Sequence, residues 1–180
     1  PPPAARNPKS EGIFKVGAGL GHTAAWKEKA SGRDDVAKAL VYEPAGNPGR
    51  DDHYVEVEMD VEAGRRYRIN VFAGVCCKEA SRLGFSGEGM CVVHGGRLIP
   101  IELGRGKATY KGLSDLGDHA THGNPVRWDW IRCVQVTFRQ GGRKRIRVYP
   151  RAPCVRVTHV VVSSDKYMKN APKSLKELEN

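Results

Sequence analysis

The sequence predicts an all-β domain, a jelly-roll β-sandwich of about eight antiparallel strands. Three observations carry that expectation. Apolar and polar residues alternate at period two along several short runs, the mark of strands that bury one face. The 21 glycines and 11 prolines fall between those runs, where they suit turns and would break helices. No helical stretch is interposed between one run and the next.

A chain of 180 residues, 39% of them hydrophobic, makes one globular domain with a core of its own. Residues 1–10 (PPPAARNPKS) read as a Pro-rich linker, residues 11–165 as the sandwich, and residues 166–180, ending APKSLKELEN, as a C-terminal linker or short helix. The chain reads as a module of a longer protein. Residues 12–17 (GIFKVG) form a first short strand. Residues 17–38 read as a long loop around Trp26, with a helical turn near 34–38. Residues 39–42 are the next strand, and 44–52 (PAGNPGRDD) a turn cluster.

Residues 53–61 alternate strictly. Val55, Val57, Met59 and Val61 take one face; Tyr54, Glu56, Glu58 and Asp60 take the other. A turn at 62–64 leads to residues 66–75, where Tyr67, Ile69, Val71 and Ala73 oppose Arg68, Asn70 and Phe72, so the two runs are expected to pair as a hairpin. Residues 84–88 read as loop, 90–94 and 98–103 as a hairpin about Gly95-Gly96, and 104–127 as a long connection of the kind that is functional or disordered. The last three runs are 133–138, 145–149 and 155–161, with Val155, Val157 and Val161 on one face of the third.

The net charge is +10, and between Trp130 and Asp165 stand eight Arg or Lys residues without a carboxylate. Such an excess serves solubility or an anionic partner. Arg143, Arg145 and Arg147, with Arg156 on the following run, are expected to form a ladder spaced roughly 6–7 Å apart along a strand. Their guanidinium forks suit carboxylate, sulfate or phosphate. Trp128 and Trp130 lie two apart and share a face, while Trp26 and Tyr54 adjoin turns. Flat rings at loop ends stack on pyranose faces, or else plug the end of the sandwich.

Asp51 and Asp52 offer oxygen ligands for calcium, with Glu11 a further candidate. His119 and His122 (HATH) in the long connection offer imidazoles to a divalent ion. The five cysteines, Cys76, Cys77, Cys91, Cys133 and Cys154, include no CxxC pair. They read as buried thiols or as disulfides, for instance one from Cys76 or Cys77 to Cys91. No GxSxG, HExxH or Walker motif is present, so catalysis is not expected. No apolar run approaches the roughly 18 residues of a membrane span, and no RNA- or DNA-binding motif accompanies the basic charge.

Two segments resemble galactose-binding-like carbohydrate-binding modules of large secreted bacterial proteins. They are DDHYVEVEMDVEAGRRYRINVFAGV (51–75) and WDWIRCVQVTFRQGGRKRIRVYPRAPCVRVTHVVVSS (128–164). The resemblance implies a galactose-binding-domain-like jelly roll and non-catalytic binding of a polysaccharide through loop-end aromatics. It also implies a structural calcium and an extracellular or cell-surface setting beside neighbouring domains. Trp128 and Trp130 match the aromatic region before the penultimate hairpin. The acidic opening motif is reduced to Glu11, and the Asp usual in the last strand is replaced by Val157-Thr158-His159. With Trp26 and Tyr54 as a second wall and Arg145, Arg147 and Arg156 as a basic face, the expected ligand is a polysaccharide, acidic polymers included. The alternatives are an assembly domain with an acidic protein partner, and a metal-dependent enzyme using His119 and His122.

Overall fold

The computed structural model describes residues 7–77, 79–103, 126–133 and 135–179, with the backbone of 108–110. It is an antiparallel sandwich whose described helical elements are 3-10 turns. One sheet runs β11 (Arg127–Arg132), β6 (Arg68–Val75), β14 (Val155–Ser163), β4 (Lys38–Tyr42), β3 (Trp26–Ala30), with β1 (Glu11–Lys15) alongside the second half of β14. The other runs β10 (Ala108–Tyr110), β7 (Leu83–Gly87), β13 (Gly142–Pro150), β5 (Val55–Val61), β2 (Gly21–His22). A third, smaller sheet joins β12 (Val136–Phe138), β8 (Met90–His94) and β9 (Arg97–Pro100). Short edge pieces such as β2, β10 and β12, two or three residues long, raise the strand number above the expected eight.

The core lies between the two large sheets. Val55, Val57, Met59 and Val61 of β5 and Ile146 and Val148 of β13 meet Ile69, Val71 and Ala73 of β6 and Val155, Val157, Val160 and Val162 of β14. Each such Val, Ile or Met side chain contributes about 1.5–3 kcal/mol on burial. A bulge between Val157 and His159 resets the alternation of β14. Val160 and Val162 therefore continue the core face, and Val161 turns to the opposite face.

Period two finds the strands but not their partners. The runs at 53–61 and 66–75 do not pair as a hairpin: β5 hydrogen-bonds β13 and β2, while β6 lies in the other sheet between β11 and β14. The turn between them crosses the sandwich, and Glu62 N–H donates to the Tyr67 hydroxyl at 2.9 Å to hold the crossing. The last three runs likewise fall in three different sheets. The Gly95-Gly96 hairpin forms as expected between β8 and β9, both glycines having positive φ. The expected loop at 84–88 is largely strand. Residues 84–87 lie in β7, between β10 and β13, where Ser86 bonds the Tyr149 hydroxyl at 2.8 Å, and Glu88 alone begins a turn. The stretch 17–38 contains β2 and β3, and Trp26 opens β3 opposite Tyr42.

The disulfide joins Cys76 to Cys154, not to Cys91. Register decides this: Val75 faces Val155 across β6 and β14, which brings the flanking cysteines together with Cα atoms 5.7 Å apart. Cys91 belongs to β8 of the third sheet; it, Cys77 and Cys133 are buried thiols outside the disulfide, and Cys133 Sγ accepts Ile69 N–H at 3.3 Å.

Residues 166–179, expected as a linker or short helix, include one short 3-10 helix at their end. They form a strap across the outer face of the β6–β14 sheet, ending in a 3-10 turn at Lys176–Glu179. Tyr167, Leu175 and Leu178 pack there on Phe72, Trp130 and Val161. No helix among the described residues is long and apolar enough to cross a membrane.

Candidate functional site

The outer face of the β6–β14 sheet carries the candidate site, and register builds it. Trp128 of β11 and Arg156 of β14 stand on either side of Gly74 of β6. A Cβ on residue 74 would come within 2.6 Å of the Trp128 indole, so glycine is what lets the ring lie across β6. Trp128 stays half-buried. Its ring stacks on Phe72 with centroids 5.7 Å apart and planes 20° apart, and Phe72 in turn meets Trp130 at 5.1 Å.

Residues 31–37 form the facing wall. Ser31, almost fully buried, stitches this loop: its N–H donates to Ala37 O, its hydroxyl donates to Val36 O and accepts from Arg33 N–H. Arg33 makes a two-pronged pair with Asp35, both bonds 2.7 Å. That pairing holds the Asp35 carboxyl below the usual carboxylate range and raises the guanidinium. The Arg33 guanidinium lies 4.9 Å from the Phe72 ring centre and 5.5 Å from that of Trp128, a cation–π arrangement. Arg156 donates to Ser31 O at 3.2 Å. Between loop and sheet is a cleft of about 670 Å³ lined by residues 31–35, Val126, Trp128 and Arg156. Arg33 and Asp35 satisfy each other, which leaves Asp34 and Arg156, among the described residues of the lining, as the charged groups available to a ligand. An indole face with a carboxylate and a guanidinium beside it can stack on an apolar ring face and bond its hydroxyls.

The sequence-predicted residues are partly gathered here. Trp128 and Arg156 line the cleft, and Trp130, 7% exposed, backs it from the apolar cluster. Trp26 does not join them. It is 2% exposed, packed on Tyr42 at 5.2 Å, because β3 turns its ring into the core. Tyr54, Arg145 and Arg147 belong to the opposite sheet. There the expected basic ladder is matched by an acidic one: register sets Arg147 against Glu56, Arg145 against Glu58 and Arg143 against Asp60. Arg147 pairs with Glu56 at 2.6 Å and lies 4.0 Å over the Tyr54 ring, Arg145 pairs with Glu88 at 2.9 Å, and Arg143 reaches Glu58 and Asp60 at 3.4 and 3.7 Å. The carboxylates missing from the local sequence come from β5 and from the turn before β8, so that face is a neutralised ion-pair lattice.

His119 and His122 lie outside the described residues. Glu11 accepts Lys166 N–H on Oε1, and its Oε2 is buried without a hydrogen-bond partner. Asp52, beside Asp51 in its turn, faces Arg50 and His53 at 3.2 and 3.8 Å. Among the described residues no three His, Cys, Asp or Glu groups converge as metal ligands. One orphaned carboxylate oxygen is fewer than the six to eight oxygens that calcium takes, and Glu11, Asp51 and Asp52 do not gather into one carboxylate cluster.

Phe72, Arg33 and Gly74 escaped the sequence reading. Phe72 left a signal, an aromatic on the polar side of an alternating strand with Arg68 and Asn70. Arg33 left none, since its partners become neighbours only in the fold.

One row further along the sheet, Trp130, Phe72, His159 and Lys15 stand side by side. Burial, with Lys15 adding, pushes the His159 imidazole down from 6.5 to about 4, against the opposing pull of Asp35 and Glu179. Between those two values the unfolded chain binds a proton that the folded chain refuses, so stability falls as pH drops through the window. Urea unfolding of the wild type between pH 7 and pH 4 is expected to lose on the order of 2–3 kcal/mol from this group. In His159→Gln that part of the slope disappears.

No family model and no curated protein matches the chain. Solved structures match over most of its length. The C-terminal family 6 carbohydrate-binding module of a marine laminarinase from Zobellia galactanivorans superposes with a TM-score of 0.52 at 9% identity, covering 85% of this chain and 98% of that one. A family 35 carbohydrate-binding module from an environmental isolate gives 0.52 at 12% identity, covering 89% and 99%. A family 6 module of a Cellvibrio mixtus lichenase, in complex with cellotriose, gives 0.50 at 9% identity, covering 86% and 98%. At these identities the likeness is one of fold: this chain has the jelly-roll β-sandwich of those modules.

Proposed function

We propose that the chain is a non-catalytic carbohydrate-binding module that holds a polysaccharide in the cleft of Trp128, Asp34 and Arg156. The observation that carries this reading is the half-exposed Trp128 ring laid across Gly74 with charged groups at its edge. Carbohydrate rings present an apolar face for stacking and a rim of hydroxyls. Where the polymer bears carboxylate or sulfate groups, Arg156 pairs with them. The neutralised lattice around Arg145 and Arg147 contributes little to that attraction. The Cys76–Cys154 disulfide favours an oxidising, extracellular setting, and tethering to a neighbouring domain would raise the modest affinity of one cleft.

The test is affinity electrophoresis in native gels containing xylan, mixed-linkage β-glucan, alginate or chondroitin sulfate, at low and high salt. Retardation by one polymer that survives salt is the expected result. Retardation by both anionic polymers that vanishes in salt reduces the interaction to counterion release and overturns the proposal. A second reading, an assembly domain, draws on the exposed Leu98 and Ile99 of edge strand β9, 60% and 42% accessible. A discrete oligomer on sizing, without retardation by any polymer, would favour it.

A further inference from the structure

Beside the Trp128 cleft lies a second cavity, of about 630 Å³, where β1, the loop before β4 and the end of the strap converge around His159. Asp35 lines both, and so joins them along one wall. Lys15, Lys38 and Glu179 complete the polar edge of the second cavity, over a floor of Val36 and Leu178. Two amines and two carboxylates balance, so the edge selects for hydrogen-bonding capacity more than for charge. His159, 6% exposed, bonds Thr158 Oγ1 through Nδ1 at 2.9 Å. Its Nε2 has no hydrogen-bond partner among the described residues, though the ring borders the cavity. A ligand hydroxyl, both donor and acceptor, suits either tautomer of the neutral ring.

We infer that this cavity is a second sugar subsite, and that a polysaccharide held on Trp128 continues past Asp35 to His159. The inference rests on the reading of the first cleft and adds a property to it, selection for chain length. Arg156 and His159 face Gly74 and Phe72, two positions apart on β6 because of the bulge, and Trp128 lies a further strand across on β11. From the indole to the imidazole is therefore roughly 10 Å across strands and roughly 7 Å along them, so a ligand reaching both must be an oligosaccharide and not a single sugar. A mixed-charge rim without an aromatic platform gives hydrogen bonding with little stacking. The second subsite therefore strengthens long ligands and cannot hold short ones alone.

The experiment titrates the protein with oligosaccharides two to eight sugars long, cut from the polymer that retards it in the gel. The wild type is expected to bind the longest about tenfold more tightly than the shortest, the size of one or two net hydrogen bonds. Lys38→Ala and Glu179→Ala, exposed rim positions that leave the buried histidine in place, should each flatten that rise without changing affinity for the shortest ligand that binds. Equal affinity at all lengths, or variants that weaken every length alike, would overturn the second subsite while leaving the Trp128 cleft standing. Failure of every length, together with failure of the polymer in the gel, would remove both.

Discussion

Arg132→Ala is expected to lower stability by about 3 kcal/mol and the melting temperature by roughly 6–12 °C. The side chain is buried, and its guanidinium makes four short bonds: Nε to Asn70 Oδ1 at 2.6 Å, Nη1 to Lys169 O at 2.7 Å, and Nη2 to Tyr167 O and Met168 O at 2.6 and 2.9 Å. These bonds pin the start of the strap to the sheet. Without them three carbonyls must stay unpaired or the strap must lift toward water, and either outcome costs free energy. Lifting it would uncover Tyr167, Leu175 and Leu178 together with the Phe72–Trp130 surface under them. Arg132→Lys should rescue little, because one ammonium cannot fork to the same acceptors. Thermal melting, with hydrogen exchange over residues 167–178, measures the effect. A melting point within a degree of wild type would mean that the strap is held by apolar packing alone.

Trp128→Ala is expected to weaken polysaccharide binding by about 2–4 kcal/mol, roughly thirtyfold or more, as for other aromatic anchors of an interface. Its stability cost should be small, about 1 kcal/mol, since the ring is half-buried and its neighbours Phe72 and Gly74 keep their places in β6. Arg156→Ala should cost less on a neutral polymer than on an acidic one, which separates hydroxyl recognition from charge. In electrophoresis, Trp128→Ala should migrate as it does in polymer-free gel. Unchanged retardation with an intact fold would take Trp128 out of the site.

Alternation along single strands was legible in the sequence because it depends on residues two apart. The faces of β5, the Gly95-Gly96 hairpin and the jelly-roll class all follow from it. Pairing was not legible, because β5 and β6 are sequence neighbours in opposite sheets and the turn at 62–67 carries no mark of the crossing. The same gap explains the charged face. A run rich in arginine looked cationic until β5 placed Glu56, Glu58 and Asp60 against it. Cys76 met Cys154 for a reason visible only in register, and the bulge at Val157/His159 moved Val161 to the outer face. Of the tryptophans, Trp128 and Trp130 share a face as their spacing requires, but spacing is silent on depth. The strap buries one and the loop at 31–37 frames the other. Trp26, read as the second wall of a site, packs in the core.

The three tryptophans differ in exposure in a way that allows a direct test. Trp26 and Trp130 are buried at 2% and 7% accessibility, whereas Trp128 borders the cleft. Intrinsic tryptophan fluorescence should therefore change saturably as the gel-retarding polysaccharide is added, at the concentrations that retard the protein. The same titration of Trp128→Phe should leave the emission flat. Retardation in the gel with no change in wild-type emission, or an identical change in Trp128→Phe, would place the polysaccharide elsewhere on the sandwich.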